Sequence, residues 1–405
     1  MSTKKTAAIF LTVITLMFVL VGQTFAYSMK LTQKELKVSE IKTVSDNAVL
    51  NPGLAPAATI GVINYGITDY GNYLKAVVNT SDTGYLMCAD LVQDPLTYAT
   101  PRYVYAVKIG SGGVVQWRQT FGSALLDFHT EGVEQTSDGG YAITGFGSSG
   151  TSNVIFLMKL DSAGNLLWSR TYGSSISLFG CDLKQCSDLG YIIVVRQASG
   201  GLLLAKTDSS GNLSWAVADN TPAGNYAKVL IERNTGNYVV FGDNGMLYKF
   251  APNGAMLTKV NSPAIGTQTI IQTSDNGFAL AGAGGDSDIT FAKLDNSFGL
   301  LWSSTYTVAA GTAVVGGQGD NIEQTSDGGY VYGVRVYSPG MDSDIAIVKI
   351  GGDAALQNFY TLNISPNDYL VYIHAVTNGY TVFGNVSAPS GWSDNSNFFF
   401  CTIAN

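Results

Sequence analysis

The chain is poor in the residues that most catalytic and metal chemistry needs. Its 405 residues include two histidines, four cysteines and 13% charged side chains, against roughly 25% in a usual soluble protein. With histidine scarce and no CxxC spacing, a metal centre has little to be built from, and no cofactor is expected. Lys and Arg number 22 against 30 Asp and Glu, a net charge of −8, so the basic surface that nucleic acid requires is missing. There is no GxSxG, no HExxH and no phosphate-binding loop. Long apolar runs are absent as well. The run at residues 7–22 falls short of the ~20 residues of a membrane span. It follows Lys4 and Lys5 and ends at Thr24-Phe25-Ala26, the pattern of a secretory signal peptide cleaved after Ala26. Residues 1–26 therefore read as signal and residues 27–57 as a spacer or short helix, with Pro52 and Pro56 breaking any helix. An extracellular or cell-surface protein is expected, with no membrane span in the mature chain. Export permits disulfides among Cys88, Cys181, Cys186 and Cys401, in three possible pairings.

What the chain does have is glycine and aromatics: 47 Gly, 22 Tyr and 18 Phe. With few charges, this mixture indicates many short strands joined by tight turns. Internal repetition gives them an order. Gln135-Thr136-Ser137-Asp138-Gly139-Gly140-Tyr141 recurs as Gln324-Thr325-Ser326-Asp327-Gly328-Gly329-Tyr330, and Gln272-Thr273-Ser274-Asp275-Asn276-Gly277-Phe278 is a third copy. Weaker copies end at Tyr85, Tyr191, Tyr238 and Tyr380, so an anchor aromatic returns about every 50 residues. A second block follows each anchor, clearest in Lys159-Leu160-Asp161-Ser162-Ala163-Gly164-Asn165-Leu166-Leu167-Trp168, with the same Lys-to-Trp interval at Lys108 and Trp117, Lys206 and Trp215, and Lys293 and Trp302. Each unit reads as four strands, a to d. The Ser-Asp-Gly-Gly stretch turns a into b, and the Asp-Ser-Ala-Gly-Asn stretch turns c into d. That is the size and content of a propeller blade.

These blocks resemble the propeller-type repeats of secreted bacterial and archaeal proteins, over roughly residues 59–405. The resemblance implies a β-propeller and little about activity, since such repeats occur in surface proteins of mostly unassigned function. The strand reading reaches the same fold by itself. The last unit stops at Phe398-Phe399-Phe400-Cys401-Thr402, aligned with strand c, while the segment from Thr59 to Gly66 aligns with strand d endings such as Trp168-Ser169-Arg170-Thr171-Tyr172-Gly173. The expectation is an all-β, seven-bladed propeller of four-stranded antiparallel blades over residues 58–405, closed by its N-terminal strand so that no edge stays free.

Repeated residues in a ring are structural in the first instance. Asn79, Gln135, Gln185, Glu232, Gln272, Gln324 and His374 share one position and are expected to hydrogen-bond blade to blade. The strand c lysines should pair with Asp82, Asp138, Asp188, Asp275 and Asp327 on the same face, each pair worth roughly 0–1 kcal/mol if exposed. Trp117, Trp168, Trp215 and Trp302 should pack between blades.

Function is expected on the opposite face, where the variable b–c and d–a loops gather. The long b–c loop of blade 1 and the blade 7 loop are neighbours in a closed ring. Together they offer Asp90, Asp94, Tyr98, Tyr103, Trp392 and Asp394 as a ligand-binding patch. Asp286-Ser287-Asp288 and Asp342-Ser343-Asp344 read as capping at the starts of strands ahead of a calcium site. Asp127-Phe128-His129-Thr130-Glu131, placed on the d–a loop of blade 2, is the best acid–base candidate. The expected role is non-catalytic: binding of an extracellular glycan or protein through the loop face. A carbohydrate-active hydrolase or lyase, or a structural surface-layer or filament subunit, is the alternative.

Overall fold

The computed structural model describes residues 62–66, 70–92, 101–123, 126–148, 152–220, 227–242, 244–263, 268–283, 288–307, 313–315, 321–337, 343–362, 364, 368–377, 379–386 and 397–404, and three short strands ahead of them. Of these three, Glu40–Ile41 lies along the outer strand of blade 1 and Thr32–Glu35 along that of blade 2, with Thr12–Val13 beside Thr32–Glu35. They fall partly in the segment read as spacer or short helix; the rest of that segment lies outside the described residues.

Seven antiparallel sheets follow one another. Blade 1 runs Gly71–Asn79, Tyr85–Val92, Tyr103–Ile109 and Val115–Gly122. Blade 2 runs Asp127–Gln135, Tyr141–Ser148, Asn153–Leu160 and Leu166–Gly173, and blade 3 runs Leu178–Gln185, Tyr191–Gln197, Leu202–Thr207 and Leu213–Asp219. Blades 4 and 5 repeat the pattern. In blade 6 the first strand is split into Ala313–Val315 and Ile322–Gln324, both paired with Tyr330–Tyr337. Strand a of each blade packs on strand a of the next, and Asp368–Val376 of blade 7 packs on Gly71–Asn79 of blade 1. The seven a strands thus form an inner ring around a central channel. Strands b and c are sandwiched between neighbours, so Tyr85–Val92 is buried along its whole length. The outer Leu300–Thr307 alternates between half-buried and exposed instead.

Ring closure follows the sequence expectation. Val62–Asn64 pairs antiparallel with the strand Asn397–Ala404, Phe399 opposite Asn64 and Cys401 opposite Val62. Tyr65, 1% exposed, then donates its hydroxyl to the Gly113 carbonyl at 2.6 Å in blade 1. Tyr172 makes the same bond to Gly211, and Tyr306 to Ala354, so the N-terminal strand does what strand d does elsewhere.

The repeated residues tie neighbouring blades and turns together. The Gln135 carbonyl oxygen accepts the Ser81 amide of blade 1 at 2.8 Å, Gln185 accepts Ser137, and Gln324 accepts Ser274. His374 lies 3.0 Å from Glu323 of blade 6. Each of the four repeated tryptophans faces the next blade's anchor aromatic, as Trp168 and Tyr191 do with ring centroids 5.9 Å apart. Lys159 Nζ sits 2.9 Å from both Asp138 and the Leu160 carbonyl, and the pairs at Lys108, Lys206, Lys293 and Lys349 repeat this. In blade 4 Glu232 replaces the aspartate, 2.6 Å from Lys249. The lysine end of these pairs is buried, so the exposed-pair expectation is corrected: removing the acid strands a buried ammonium. Cys88, Cys186 and Cys401 are buried free thiols.

One consequence is measurable. Burial works against ionisation of Asp138 and Asp275, but hydrogen bonds from Thr136 and Lys159, and from Thr273 and Lys293, pull both down to about 2. Hydrogen bonds from Thr325 and Lys349 hold Asp327 at about 2 as well. A carboxyl held low in the fold contributes fully above its ordinary value of 3.8 and loses that contribution as pH falls to about 2. The urea midpoint is therefore expected to drop steeply between pH 4 and pH 2, and the triple Asp138→Asn, Asp275→Asn, Asp327→Asn variant to flatten that slope. An unchanged slope in the variant would assign the acid response to other groups.

Candidate functional site

The two ends of the channel are unequal. The turn end is taken up by the repeated pairs. Toward the loop end the inner strands break their regular ladder. A β-bulge interrupts strand a in blades 1, 2, 3 and 7, and leaves Lys75, Glu131, Cys181 and Val371 without a cross-strand partner. A bulge re-aims the extra residue: Val371 turns into the core between blades 7 and 1, while Lys75 and Glu131 stay partly open.

Two of the bulges are held by the same device. Asp90 Oδ1 accepts the Thr130 amide at 2.7 Å, and Asn385 Oδ1 accepts the Leu74 amide at 2.7 Å. Thr130 and Leu74 each immediately precede a bulge residue. Asp90 and Asn385 stand five residues after their anchor aromatics, and the same position in blades 2, 3 and 6 holds Phe146, Arg196 and Arg335.

From blade 1 to blade 3 a continuous cation–aromatic row crosses the loop end. Arg102 Nη1 lies 2.6 Å from Nδ1 and 2.8 Å from Nε2 of His129, and the Arg102 amide donates to Asp127 Oδ1 at 2.6 Å. His129 Nε2 is 3.3 Å from Asp127 Oδ2. The imidazole stacks on Phe146 with centroids 4.3 Å apart, Phe146 meets Phe179 edge-on at 5.1 Å, and the Arg196 guanidinium lies 4.2 Å over Phe179. Burial and the Arg102 charge hold the imidazole below its ordinary pKa, against the pull of Asp90 and Asp127. The guanidinium can only donate, so the neutral ring accepts it on its unprotonated nitrogen. A second, shorter array stands across blades 6 and 7. There Arg335 lies 3.7 Å over Tyr369 and 4.3 Å over Tyr337, and donates to the Tyr369 hydroxyl at 2.9 Å.

Beside the long row, Glu131 has no hydrogen-bond partner among the described residues. It is partly open by area, yet set so deep that burial pushes its carboxyl up to about 8, with Lys75 and Arg196 pulling down and Asp90 pushing up. Further along the inner ring, Lys184 pairs with Glu134 at 2.7 Å, and burial pushes Lys228 down to about 8 against the attraction of Asp182.

The residues expected at the site are not gathered as the sequence suggested. Asp90 is on strand b rather than in the loop, 2% exposed, and turned toward blade 2. Tyr103 opens strand c opposite Leu91 and packs into the core shared with blade 7. Successive residues of a strand face opposite ways, so Asp90 and Tyr103 lie on opposite faces of blade 1. Asp94, Tyr98, Trp392 and Asp394 lie outside the described residues, as do Asp286 and Asp342. Asp288 accepts the Thr307 hydroxyl at 2.8 Å at the start of its strand. Asp127, His129 and Glu131 belong to strand a, not to a loop, because the bulge lets the strand run on past the polar triplet. Lys75, Phe146, Phe179 and Arg196 were not foreseen. Lys75 and Glu131 did carry a signal, each standing ten residues before its anchor aromatic. Among the described residues no His, Cys, Asp and Glu group fits a metal ion, and no helix is long and apolar enough to cross a membrane.

No protein-family profile and no curated protein matches the sequence. Solved structures do match in fold. A catalytically inactive virginiamycin B lyase from Staphylococcus aureus, solved with quinupristin, is 9% identical with a TM-score of 0.51, covering 85% of this chain and 99% of that one. BamB from Moraxella catarrhalis is 12% identical with a TM-score of 0.40, covering 89% of this chain and 98% of that one. At 9% identity the likeness to the lyase speaks for the propeller fold alone.

Proposed function

We propose that this chain is an exported, non-catalytic binding propeller that takes an extracellular glycan at the loop end of its channel, over blades 1 to 3. The observation that carries this reading is the row from Arg102 through His129, Phe146 and Phe179 to Arg196, rigidly stacked on three consecutive blades. Both nitrogens of His129 lie against the Arg102 guanidinium, at 2.6 and 2.8 Å, which suits a preorganised binding surface better than proton transfer to a substrate. The side chains of the row are half-buried at the inner ends of the blades, and a slender chain of hydroxyl and carboxyl groups reaches there more readily than a flat protein surface.

A glycan array read with purified protein tests this. Retention of at least one glycan is expected, and Arg102→Gln should weaken it at least tenfold without shifting the melting temperature by more than a few degrees. A blank array, or retention indifferent to Arg102→Gln, would sink the reading.

A further inference from the structure

The unpartnered groups at the bulges point to a more particular ligand. Glu131 is the extra residue of the blade 2 bulge, and Lys75 is the extra residue of the equivalent bulge in blade 1. Arg196 stands on strand b of blade 3. Its guanidinium rests on Phe179, and its Nε is buried with no hydrogen-bond acceptor among the described residues. Lys75 reaches Asp90 only at 3.8 Å and keeps about a third of its side chain exposed. Asp90 itself is committed to the Thr130 amide. Two cations and one carboxyl from three blades thus act on one another, with, among the described residues, Arg196 Nε unbonded, Lys75 reaching no acceptor closer than 3.8 Å and Glu131 unpartnered.

We propose that this recess binds an oxyanion carried by the ligand, with Arg196 and Lys75 donating to it and Glu131 beside it. The inference rests on the glycan-binding reading and narrows it to acidic saccharides, a uronate being the simplest bearer of such a group. A buried guanidinium N–H left without an acceptor is expensive, and a charged oxygen is the partner that satisfies it best. A carboxylic acid between two cations would ordinarily be ionised. Here depth opposes ionisation, which turns an acceptor that would repel an anion into a donor that welcomes one.

The arrangement makes binding dependent on pH. The charged groups acting on Glu131 are Lys75 and Asp90 from blade 1 and Arg196 from blade 3. Asp182 is turned to the Leu183 and Val229 amides, and His129 is held neutral by burial and Arg102. Within blades 1 to 3 Glu131 is thus the group whose charge changes near pH 8, while Lys228 of blade 4 changes charge in the same range farther along the ring, so Glu131→Gln separates the two. Above that pH Glu131 becomes an anion beside the bound oxyanion, and affinity must fall.

Isothermal titration of the full chain with hexagalacturonate, inorganic phosphate and neutral maltohexaose, at pH 6, 7 and 9, tests the proposal. Hexagalacturonate is expected to bind, phosphate to bind more weakly and compete with it, and maltohexaose not to bind. Affinity for hexagalacturonate should fall at least tenfold from pH 7 to pH 9. Arg196→Gln should weaken it at least tenfold, and Glu131→Gln should flatten the pH profile. Urea midpoints of both variants guard against misfolding, and Glu131→Gln, which removes a poorly solvated acid, should not be less stable than the parent. Maltohexaose binding as tightly as hexagalacturonate would overturn the oxyanion inference while leaving glycan binding intact. The inference is equally overturned if neither anion binds, or if the pH profile survives Glu131→Gln. Failure of the broader reading shows separately, as a blank glycan array.

Discussion

A chain lacking residues 59–66 is expected to lose cooperative unfolding and to aggregate rather than melt at a lower temperature. The deletion removes the partner of Phe399, Phe400 and Cys401 and leaves the outer edge of blade 7 open. It also removes Tyr65, which stacks on Phe398 with centroids 6.0 Å apart and fills the seam between blades 7 and 1. Losing a fully buried large aromatic alone costs about 3–5 kcal/mol. The ladder and the Ile63 contacts add to that, against a whole-domain stability of about 5–15 kcal/mol. The exposed Phe-rich strand then offers an unpaired edge for association. Scanning calorimetry and size-exclusion chromatography check this. Tyr65→Phe serves as the graded counterpart: it removes only the hydroxyl that reaches Gly113, so a loss of about 1 kcal/mol with cooperativity kept is expected. If the deleted chain melts as the intact one does, the ring closes by some other means.

The second large effect is expected at Gly140→Ala, with a loss of about 3 kcal/mol in urea unfolding. A Cβ on Gly140 would run into the Leu160 carbonyl and come within 2.5 Å of Lys159 Nζ. Neither can retreat, because the carbonyl belongs to the ladder and the lysine is buried against Asp138. The neighbouring Gly139→Ala should cost only about 1 kcal/mol, for left-handed backbone at φ 79° with open space around it. Equal costs at the two positions would show that turn conformation, and not the close approach of the lysine, governs this site.

That contrast shows what the repeat made legible and what it hid. A turn at Ser-Asp-Gly-Gly accounts for the first glycine, Gly139, by its positive φ. Yet the equivalent positions hold Thr83, Leu189 and Asn276, each at φ 65°, so that position tolerates side chains. The second glycine persists as Gly84, Gly190, Gly277 and Gly329, each with a lysine Nζ and a backbone carbonyl where its Cβ would be. Blade count, ring closure, the lysine–aspartate pairs and the inter-blade glutamines were readable because each recurs with a period, and a period exposes a structural role without any alignment. The site was not readable, because its residues are what the blades do not share. Arg102, Phe146, Phe179 and Arg196 come from different strands and meet only once three blades are stacked. The bulges that redirect Lys75 and Glu131 leave no mark beyond a charge where an apolar residue would alternate.

The seam at blade 7 also bears on how the chain reaches its fold. Blades 1 to 6 are each made of consecutive strands, so each can pair as soon as it is available, and short-range pairing is fast. Blade 7 cannot, because Val62–Asn64 must wait for Asn397–Ala404 at the other end of the sequence. The last step is therefore a single long-range search that locks all seven blades at once. Until it is complete, the first and last sheets both show open apolar faces, so the interval before closure is when this protein is most exposed to misassembly.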